Sequence, residues 1–339
     1  MSQPKNHILV IRLSAMGDVA MTVPVLRGLV HKNPDVKITV LTRAFFTPFF
    51  RDIPQVTVFP ADFIDRHKGV LGLWKLSKEL KVFKIDVIAD LHNILRSHIL
   101  KLLFFGKHIV QIDKGRAEKN ALVTGKNFAP LKTTHQRYAD VFETLGFSVD
   151  LTNPTFPERV VLSSKLQALL GHNFKKIIGI APFAAHEGKM YPLTLMKRVI
   201  EALSKEYQIV LFGGGKKEVE VLNDIENAFE NVVNAAGKLC LNEELDLISN
   251  LDGMLAMDSG NAHMAAMLGV KTITIWGVTH PYAGFAPFNQ PKDYALVANK
   301  DLFPKIPTSI FGNKYPENYK DAAGSISPET IISKVKSSI

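Results

Sequence analysis

The sequence predicts an α/β protein made of two halves, each a parallel sheet covered by helices. Strand-like apolar runs alternate with helix-like runs along almost the whole chain, which is typical of parallel sheets with helical crossovers. The 339 residues are too many for one compact core. A Pro-rich stretch of weak periodicity, 150–157, interrupts the alternation near the middle. Ligands of such sheets bind beyond the carboxyl ends of the strands, so two facing halves would enclose one cleft.

Apolar periodicity places the elements of the first half. Strands are predicted over residues 7–14, 36–43, 55–60, 85–92 and 108–113. Helices are predicted over residues 18–31, 70–81, 93–105 and 135–145, the last one closed by Gly146 as a C-terminal cap.

The second half repeats the alternation. Strands are predicted over residues 176–183, 208–212, 232–235, 253–257 and 272–276. Helices are predicted over residues 163–170, 193–207, 216–229, 242–250 and 261–268. A final helix is announced by Ser327 as its cap and Pro328 at its first position.

Composition and charge bound the class of protein. Residues 1–6 lead directly into a strand without a secretion signal, and no apolar run reaches the 18–20 or so residues of a membrane helix. The single cysteine, Cys240, excludes an internal disulfide and fits a reducing cytoplasm, where we expect the protein. A net charge of +9 favours an anionic partner, with simple solubility as the alternative. No block of five like charges marks a tail that binds nucleic acid.

One polar turn of the second half follows a strand and opens a helix. In Asp258-Ser-Gly-Asn-Ala-His263, Gly260 permits close backbone approach, and the free N–H groups of the helix start suit a phosphate. Ser259 and Asn261 add donors, and His263 lies in the first turn. The alternative is a plain helix cap made by Asp258 or Ser259.

Two further stretches suit a phosphate or a ribose. Gly213, Gly214 and Gly215 lie between a strand and a helix, but match neither G-x-G-x-x-G nor a P-loop, and a flexible turn is the alternative. Lys189 stands just before the helix that starts near Pro192, where its charge can meet a diphosphate. A solvated surface lysine is the alternative.

The turn after the first strand carries a carboxylate. Gly17 is expected to take a positive φ there, and Asp18 to stand at the helix N-terminus, where the dipole favours its ionised form. Two interpretations stay open for Asp18. It is either an N-cap worth about 1 kcal/mol or a general base aimed into the cleft.

Three motifs together resemble glycosyltransferase family 9, the lipopolysaccharide heptosyltransferases. They are "MDSGNAHMAAMLGVKTITIWGVTHP" from Met257, the opening "ILVIRLSAMGDVAMTVPVLRGL", and "GKMYP", in which Tyr191 takes the place of a tryptophan. The resemblance covers nearly the whole chain. It implies a GT-B fold, in which two Rossmann-like domains face each other across a cleft. We expect an acceptor domain over 1–160, a nucleotide-sugar domain over 161–320 and a final helix over 321–339 that packs back on the first domain.

The resemblance also implies the reaction and its partners. The family transfers a sugar from a nucleoside diphosphate, typically ADP-heptose, to a core-oligosaccharide acceptor with inversion. It needs no cofactor or metal. The acceptor is anionic and sits in the inner leaflet, so peripheral contact with the cytoplasmic face of the inner membrane is expected.

Several site residues follow from the matched motifs, and the others follow from their places at turns and strand ends. Asp18 falls on the catalytic base and Lys189 on the lysine that contacts the donor phosphates. Donor binding is expected at Asp258, Ser259, Gly260, Asn261, His263, Gly213, Gly214 and Leu239, the last lining an adenine pocket. Acceptor binding is expected at Gly17, His92 and Arg96, with Lys114 and Arg116 as further candidates. An ordinary surface charge is the alternative for each of the three cations.

The chain departs from the family's pattern at several points, and one of them concerns the donor phosphates. Ala184 and Ala185 stand where relatives place Thr or Ser hydroxyls against the phosphates, so backbone N–H groups or His186 would have to replace them. Two other functions remain open, a sugar-nucleotide epimerase of the same fold and a non-catalytic nucleotide-sugar-binding protein. A nicotinamide enzyme is disfavoured, because the first turn lacks G-x-G-x-x-G and no acid ends the second strand.

Overall fold

A computed structural model describes residues 6–171 and 176–339. The segment expected to lead into the first strand lies, over residues 1–5, outside the described residues. The chain forms two compact units, of which the first holds Met1–Lys114 and Thr134–Thr155. The second unit holds Gly115–Thr133 and Phe156–Ile339. Residues 115–133, which we expected in the first half, therefore belong to the second unit.

The first unit is built on a five-stranded parallel sheet. Its strands are β1 (His7–Ile11), β2 (Lys37–Arg43), β3 (Val56–Ala61), β4 (Val87–Asp90) and β5 (His108–Gln111), in the order β3-β2-β1-β4-β5. Its helices are α1 (Met16–Ala20), α2 (Thr22–Lys32), α3 (Gly69–Lys81), α4 (Leu95–Leu103) and α6 (Thr134–Thr144), while α5 (Arg116–Val123) lies in the second unit.

The helix predicted over 18–31 is two helices. It breaks at Met21, and because α2 restarts at Thr22, Pro24 falls in a first turn, where its missing N–H costs nothing. Since α1 begins at Met16, Asp18 lies inside the first helical turn and is not the cap residue. Gly17 has helical backbone angles, so the expected positive φ is wrong.

The second unit is built on a six-stranded parallel sheet. Its strands are β6 (Ile177–Ala181), β7 (Gln208–Leu211), β8 (Val232–Asn234), β9 (Gly253–Met257), β10 (Thr272–Trp276) and β11 (Ala295–Val297), in the order β11-β10-β9-β6-β7-β8. Its other helices are α7 (Ser164–Leu170), α8 (Leu193–Leu203), α9 (Lys216–Ala228), α10 (Leu241–Ser249), α11 (Gly260–Met267) and α12 (Pro328–Ser338).

The final helix, α12, packs on α8 in the second unit, where Ile331 and Val335 are fully buried in the core. The sequence predicts instead that this segment packs back on the first domain. Its predicted start is confirmed: the Ser327 hydroxyl accepts a hydrogen bond from the Thr330 N–H at 3.2 Å, and Pro328 opens the helix. Within residues 6–171 and 176–339, no helix is long and apolar enough to cross a membrane.

Candidate active site

Each sheet reverses its strand order once, and four of the residues predicted to be functional follow the strands on either side of that reversal. In the first sheet the reversal lies between β1 and β4, and in the second between β6 and β9. Loops at the carboxyl ends of two such strands diverge and leave a crevice for ligands. Asp18 and His92 come after β1 and β4, and Lys189 and Asp258 come after β6 and β9.

In the first unit the Asp18 carboxylate is held by a buried arginine. Arg12 Nη2 lies 2.6 Å from Asp18 Oδ2, and Arg12 Nη1 donates to the Leu91 carbonyl at 2.8 Å, so the guanidinium joins the ends of β1 and β4. The backbone N–H of Ala15 also reaches Oδ2, at 3.4 Å. From the other side, the Tyr138 hydroxyl donates to the Asp18 carbonyl at 3.3 Å.

The second oxygen of Asp18 remains available. Both contacts of the carboxylate use Oδ2, and Oδ1 has no partner among the described residues. The Asp18 side chain is 29% exposed, whereas that of Arg12 is 8% exposed. The arrangement therefore presents a fixed carboxylate with one oxygen free to accept a proton or a hydrogen bond, which is the geometry that a general base needs.

His92 lies beside this pair as a neutral ring. Its Nδ1 accepts from the Leu13 N–H at 3.4 Å, and the backbone N–H of His92 donates to Asp90 Oδ1 at 3.0 Å. Burial, and then the positive charges of Arg12 and Lys114, lower the pKa of His92 to about 4. At neutral pH the ring is thus uncharged, and it would meet an acceptor as a hydrogen-bonding group and not as a cation.

Arg96 is not brought to this pair. It is exposed in the first turn of α4, and its guanidinium carbon stands 5.0 Å from the centre of the Phe63 ring. Lys114 donates to the Asn93 carbonyl at 3.2 Å, whereas Arg116 is exposed at the start of α5. The acceptor role of Arg96 stays a prediction without a contact to Asp18.

In the second unit Lys189 and Asp258 form a buried ion pair. Lys189 Nζ lies 2.8 Å from Asp258 Oδ2 and 3.2 Å from the Asp258 carbonyl, and the Thr279 hydroxyl donates to the same Oδ2 at 2.9 Å. The side chains of Lys189 and Asp258 are 16% and 6% exposed. Two of the three ammonium donors are engaged, and one is left for a ligand.

The loops around Lys189 are packed too closely for larger residues. The Gly188 carbonyl accepts from the Val278 N–H at 2.8 Å, and a Cβ at Gly277 would lie 2.3 Å from that carbonyl oxygen. Gly312, with a φ of +80°, lies against the aliphatic part of Lys189, and a Cβ there would come within 2.5 Å of it. This packing fixes the ammonium group at the end of β9.

The turn that opens α11 is not a simple cap. Ser259 occupies the cap position, but its hydroxyl makes no capping hydrogen bond. The hydroxyl oxygen is buried and has no hydrogen-bond partner in the part of the chain that the structure describes. A buried hydroxyl without a partner is costly, and a ligand at the helix N-terminus would satisfy it. Gly260 and Asn261 form the first turn of α11, and His263 is buried on the same helix.

The glycine turn and Leu239 lie on the other side of β6, after β7 and β8. The N–H of Gly214 donates to Glu218 Oε2 at 2.8 Å, which places a carboxylate at the glycine turn. Leu239 is half-buried in the loop before α10. No contact among the described residues joins Gly213, Gly214 or Leu239 to the Lys189–Asp258 pair, so their roles stay predictions.

Comparison with known proteins decides the family. The model of glycosyltransferase family 9 (heptosyltransferase) matches residues 73–301, more than half of the chain. The chain belongs to glycosyltransferase family 9. The lipooligosaccharide heptosyltransferase 2 of Haemophilus influenzae is 29% identical to it over 299 residues, which cover 81% of this chain and 84% of the relative.

Solved structures of the family have the same fold. The family 9 glycosyltransferase of Veillonella parvula matches with a TM-score of 0.75 at 19% identity, over 99% of this chain and 98% of that one. Escherichia coli heptosyltransferase WaaC with ADP matches with a TM-score of 0.67 at 18% identity, over 98% and 100%. The predicted α/β class with GT-B relatives is thus confirmed.

Four polar residues of this family 9 chain were not singled out in the sequence: Arg12, Glu218, Glu244 and Thr279. Arg12 interrupts an otherwise apolar strand end, a signal that was available. Thr279 lies within a quoted motif and Glu218 lies shortly after the glycine turn, but nothing in the pattern shows that they hydrogen-bond Asp258 and Gly214. Among the described residues, no group of three or more His, Cys, Asp or Glu is placed to hold a metal ion.

Glu244 lies on α10, and its Oε1 is 3.5 Å from Asn261 Nδ2 in the first turn of α11. Burial raises its pKa from the ordinary 4.5 to about 7. Between these values the unfolded chain has released a proton that the folded chain still holds, so the stability contributed here falls as pH rises.

We expect Glu244→Gln, which keeps the shape of the neutral acid, to gain stability over the wild type as pH rises from 5 to 8. The gain at pH 8 is about 1–3 kcal/mol, or several degrees of melting temperature. Glu243→Gln is the matched control. The Lys165 ammonium lowers the pKa of Glu243 below 4.5, so this carboxyl is ionised in both states from pH 5 to 8 and the variant should run parallel to wild type over that range. Parallel curves for Glu244→Gln and wild type would contradict the assignment.

Proposed function

We propose that the chain is an inverting glycosyltransferase that moves heptose from ADP-heptose to a lipopolysaccharide-core or related cell-envelope glycan. The observation that carries the proposal is the start of α11, where a buried Ser259 hydroxyl without a partner lies next to the Lys189–Asp258 pair. A helix N-terminus, a hydroxyl and an ammonium group together suit the diphosphate of a nucleotide sugar. Family membership and the name of the Haemophilus relative support heptose as the sugar.

In the proposed reaction the acceptor hydroxyl attacks the anomeric carbon from the face opposite the diphosphate. Asp18 Oδ1 takes the hydroxyl proton while the bond from the anomeric carbon to the phosphate oxygen breaks, which inverts the configuration. Lys189 and the N–H groups at the start of α11 stabilise the charge that develops on the leaving diphosphate. Arg12 keeps Asp18 oriented during the transfer.

ADP as the nucleotide is supported by the relative whose structure was solved with it. In this chain Ala184 and Ala185 bring no hydroxyl to the phosphates, so we assign those contacts to Ser259 and to backbone N–H groups. We place the reaction at the cytoplasmic face of the inner membrane, where the net charge of +9 favours an anionic acceptor and acidic lipids.

A thermal-shift panel of ADP, UDP, GDP and CDP tests the donor. We expect ADP at a hundredfold excess over its Kd to stabilise the chain by about 2.7 kcal/mol, which is several degrees. The other diphosphates should act only at much higher concentration. Absence of a shift with every diphosphate would contradict the proposal. So would isomerisation of a nucleotide sugar in the absence of acceptor, which would identify an epimerase.

A further inference from the structure

A second polar site lies in the second unit, and none of the residues that line it is among those assigned above. Residues from segment 300–316, together with residues from the end of α5 and the turn after it, line a cavity of about 700 Å³. Three lysines and two aromatic rings line it, and none of its lining residues is acidic. We call it the lysine pocket, after Lys300, Lys305 and Lys314, with Phe128 and Tyr315 as its rings.

The lysines of this pocket are not neutralised. Lys300 Nζ stands 3.2 Å from the centre of the Phe128 ring, and no carboxylate pairs with it among the described residues. Lys305 and Lys314 are exposed and likewise have no carboxylate partner in the described part of the chain. Three positive charges that share one cavity without a counter-ion repel one another, and an anion would relieve that repulsion.

The ring faces give the pocket a second recognition element. Phe128 is 41% exposed, and it packs edge-on against His280, with ring centres 5.0 Å apart. Burial and the charge of Lys300 lower the pKa of His280 to about 4, in keeping with the positive potential. Lys300 covers one face of the Phe128 ring, and the exposed remainder of that ring can pack against the C–H face of a sugar. The cavity has the size of ordinary small-molecule sites.

The wall of the pocket is tied to the candidate donor site. A Cβ at Gly188 would lie 2.7 Å from the Tyr315 ring, so Tyr315 packs directly beside the residue that precedes Lys189. The N–H of Thr308 donates to the Val278 carbonyl at 3.0 Å, and its hydroxyl donates to the Lys314 carbonyl at 2.9 Å. The lysine pocket and the Lys189–Asp258 pair therefore belong to one packed set of loops.

We propose that the lysine pocket binds an acidic sugar unit, one that carries a phosphate or a carboxylate group, of the acceptor glycan. The acceptor assignment rests on the proposed function. The lysine ammonium groups bind the acidic group as point charges, and the rings of Phe128 and Tyr315 pack against the sugar ring. No residue of this pocket is among those that the motifs predicted to bind the donor or the acceptor.

Isothermal titration with four probes tests the site. Glucose 6-phosphate and glucuronate carry an acid on a sugar ring, glucose lacks the acid, and inorganic phosphate lacks the ring. We expect binding of at least one acidic sugar, no binding of glucose, and weaker binding of inorganic phosphate. Equal binding of inorganic phosphate and glucose 6-phosphate would overturn recognition of a sugar, and absence of binding of both acidic sugars would overturn the site.

Matched triple variants locate the binding. Changing Lys300, Lys305 and Lys314 to Gln should weaken the acidic sugar by roughly tenfold or more. Changing Lys165, Lys205 and Lys336 to Gln removes the same charge from exposed positions outside the pocket and should leave the affinity unchanged. Equal loss in both triples, or in neither, would overturn the assignment. Circular dichroism verifies that both triples fold.

The acceptor role has its own readout. In a transfer assay the pocket triple should raise the KM for the glycan acceptor and leave the KM for the nucleotide sugar unchanged. An unchanged acceptor KM would overturn the acceptor role. Because the titration needs neither ADP nor transfer, a chain that ignores ADP but binds glucose 6-phosphate in the pocket would refute the proposed function and leave the acidic-sugar site standing.

Discussion

Asp18→Asn is expected to lower the rate of sugar transfer by about a thousandfold, the range of general-base catalysis. The amide keeps the shape of the side chain but takes no proton at Oδ1, the oxygen that no described residue occupies. Binding of ADP should not change, because every residue assigned to the diphosphate lies in the other unit. The measurement is the single-turnover rate, combined with the ADP thermal shift.

The control for Asp18→Asn must separate chemistry from the broken ion pair. Arg12 is buried, and removal of its partner costs about 1–3 kcal/mol. Arg12→Gln breaks the same pair but keeps the carboxylate, so it should lose similar stability while transfer falls by only about tenfold. If the two variants lose transfer equally at equal stability, Asp18 acts by holding the turn and not as the base.

Lys189→Met is expected to produce the second large effect. The ammonium group is the only side-chain cation assigned to the diphosphate, so we expect the ADP affinity to fall by about 10- to 100-fold and transfer by about 10²- to 10³-fold. The thioether chain can still pack against Gly312, as the lysine stem does. Calorimetric titration of ADP and the transfer rate measure the two effects.

Stability again needs a control at Lys189, because Asp258 is 6% exposed and, among the described residues, would keep only the Thr279 hydroxyl as a side-chain partner. Loss of one member of a buried pair typically costs about 3–5 kcal/mol. The double variant Lys189→Met with Asp258→Asn removes both charges and should recover much of that stability without recovering ADP affinity. Recovery of ADP binding in the double variant would contradict a direct phosphate contact.

The architecture could be predicted from the sequence because parallel strands are buried on both faces and therefore consist of long apolar runs. Residues 253–257 and 272–276 are predicted and observed with identical bounds, and every residue in both is buried. The positions of Asp18, Lys189 and Asp258 at strand ends followed from the same pattern. Their placement at the reversal of strand order required the order itself, which one-dimensional periodicity does not contain.

Two elements and several side-chain contacts are not encoded in the apolar periodicity of the sequence. In α5 only Leu122 is buried, so no apolar stripe marks the helix. β11 is a three-residue edge strand without a buried residue. The Arg12–Asp18 and Thr279–Asp258 contacts join residues whose types allow many partners, and only the folded loops select these ones. The positive φ predicted for Gly17 is wrong because a glycine in a predicted turn is also tolerated in a helix.

Tyr191 links the segment that opens α12 to the loop that carries Lys189. Its buried hydroxyl donates to the Ile326 carbonyl at 2.7 Å, directly before the Ser327 cap of α12, and the residue lies two positions after Lys189. The start of α12 therefore supports the loop of Lys189, which lies some 140 positions earlier in the sequence. A truncation that removes α12 would disturb this support of the Lys189 loop. The resulting loss of function would resemble that of an active-site variant, although no candidate site residue had been changed.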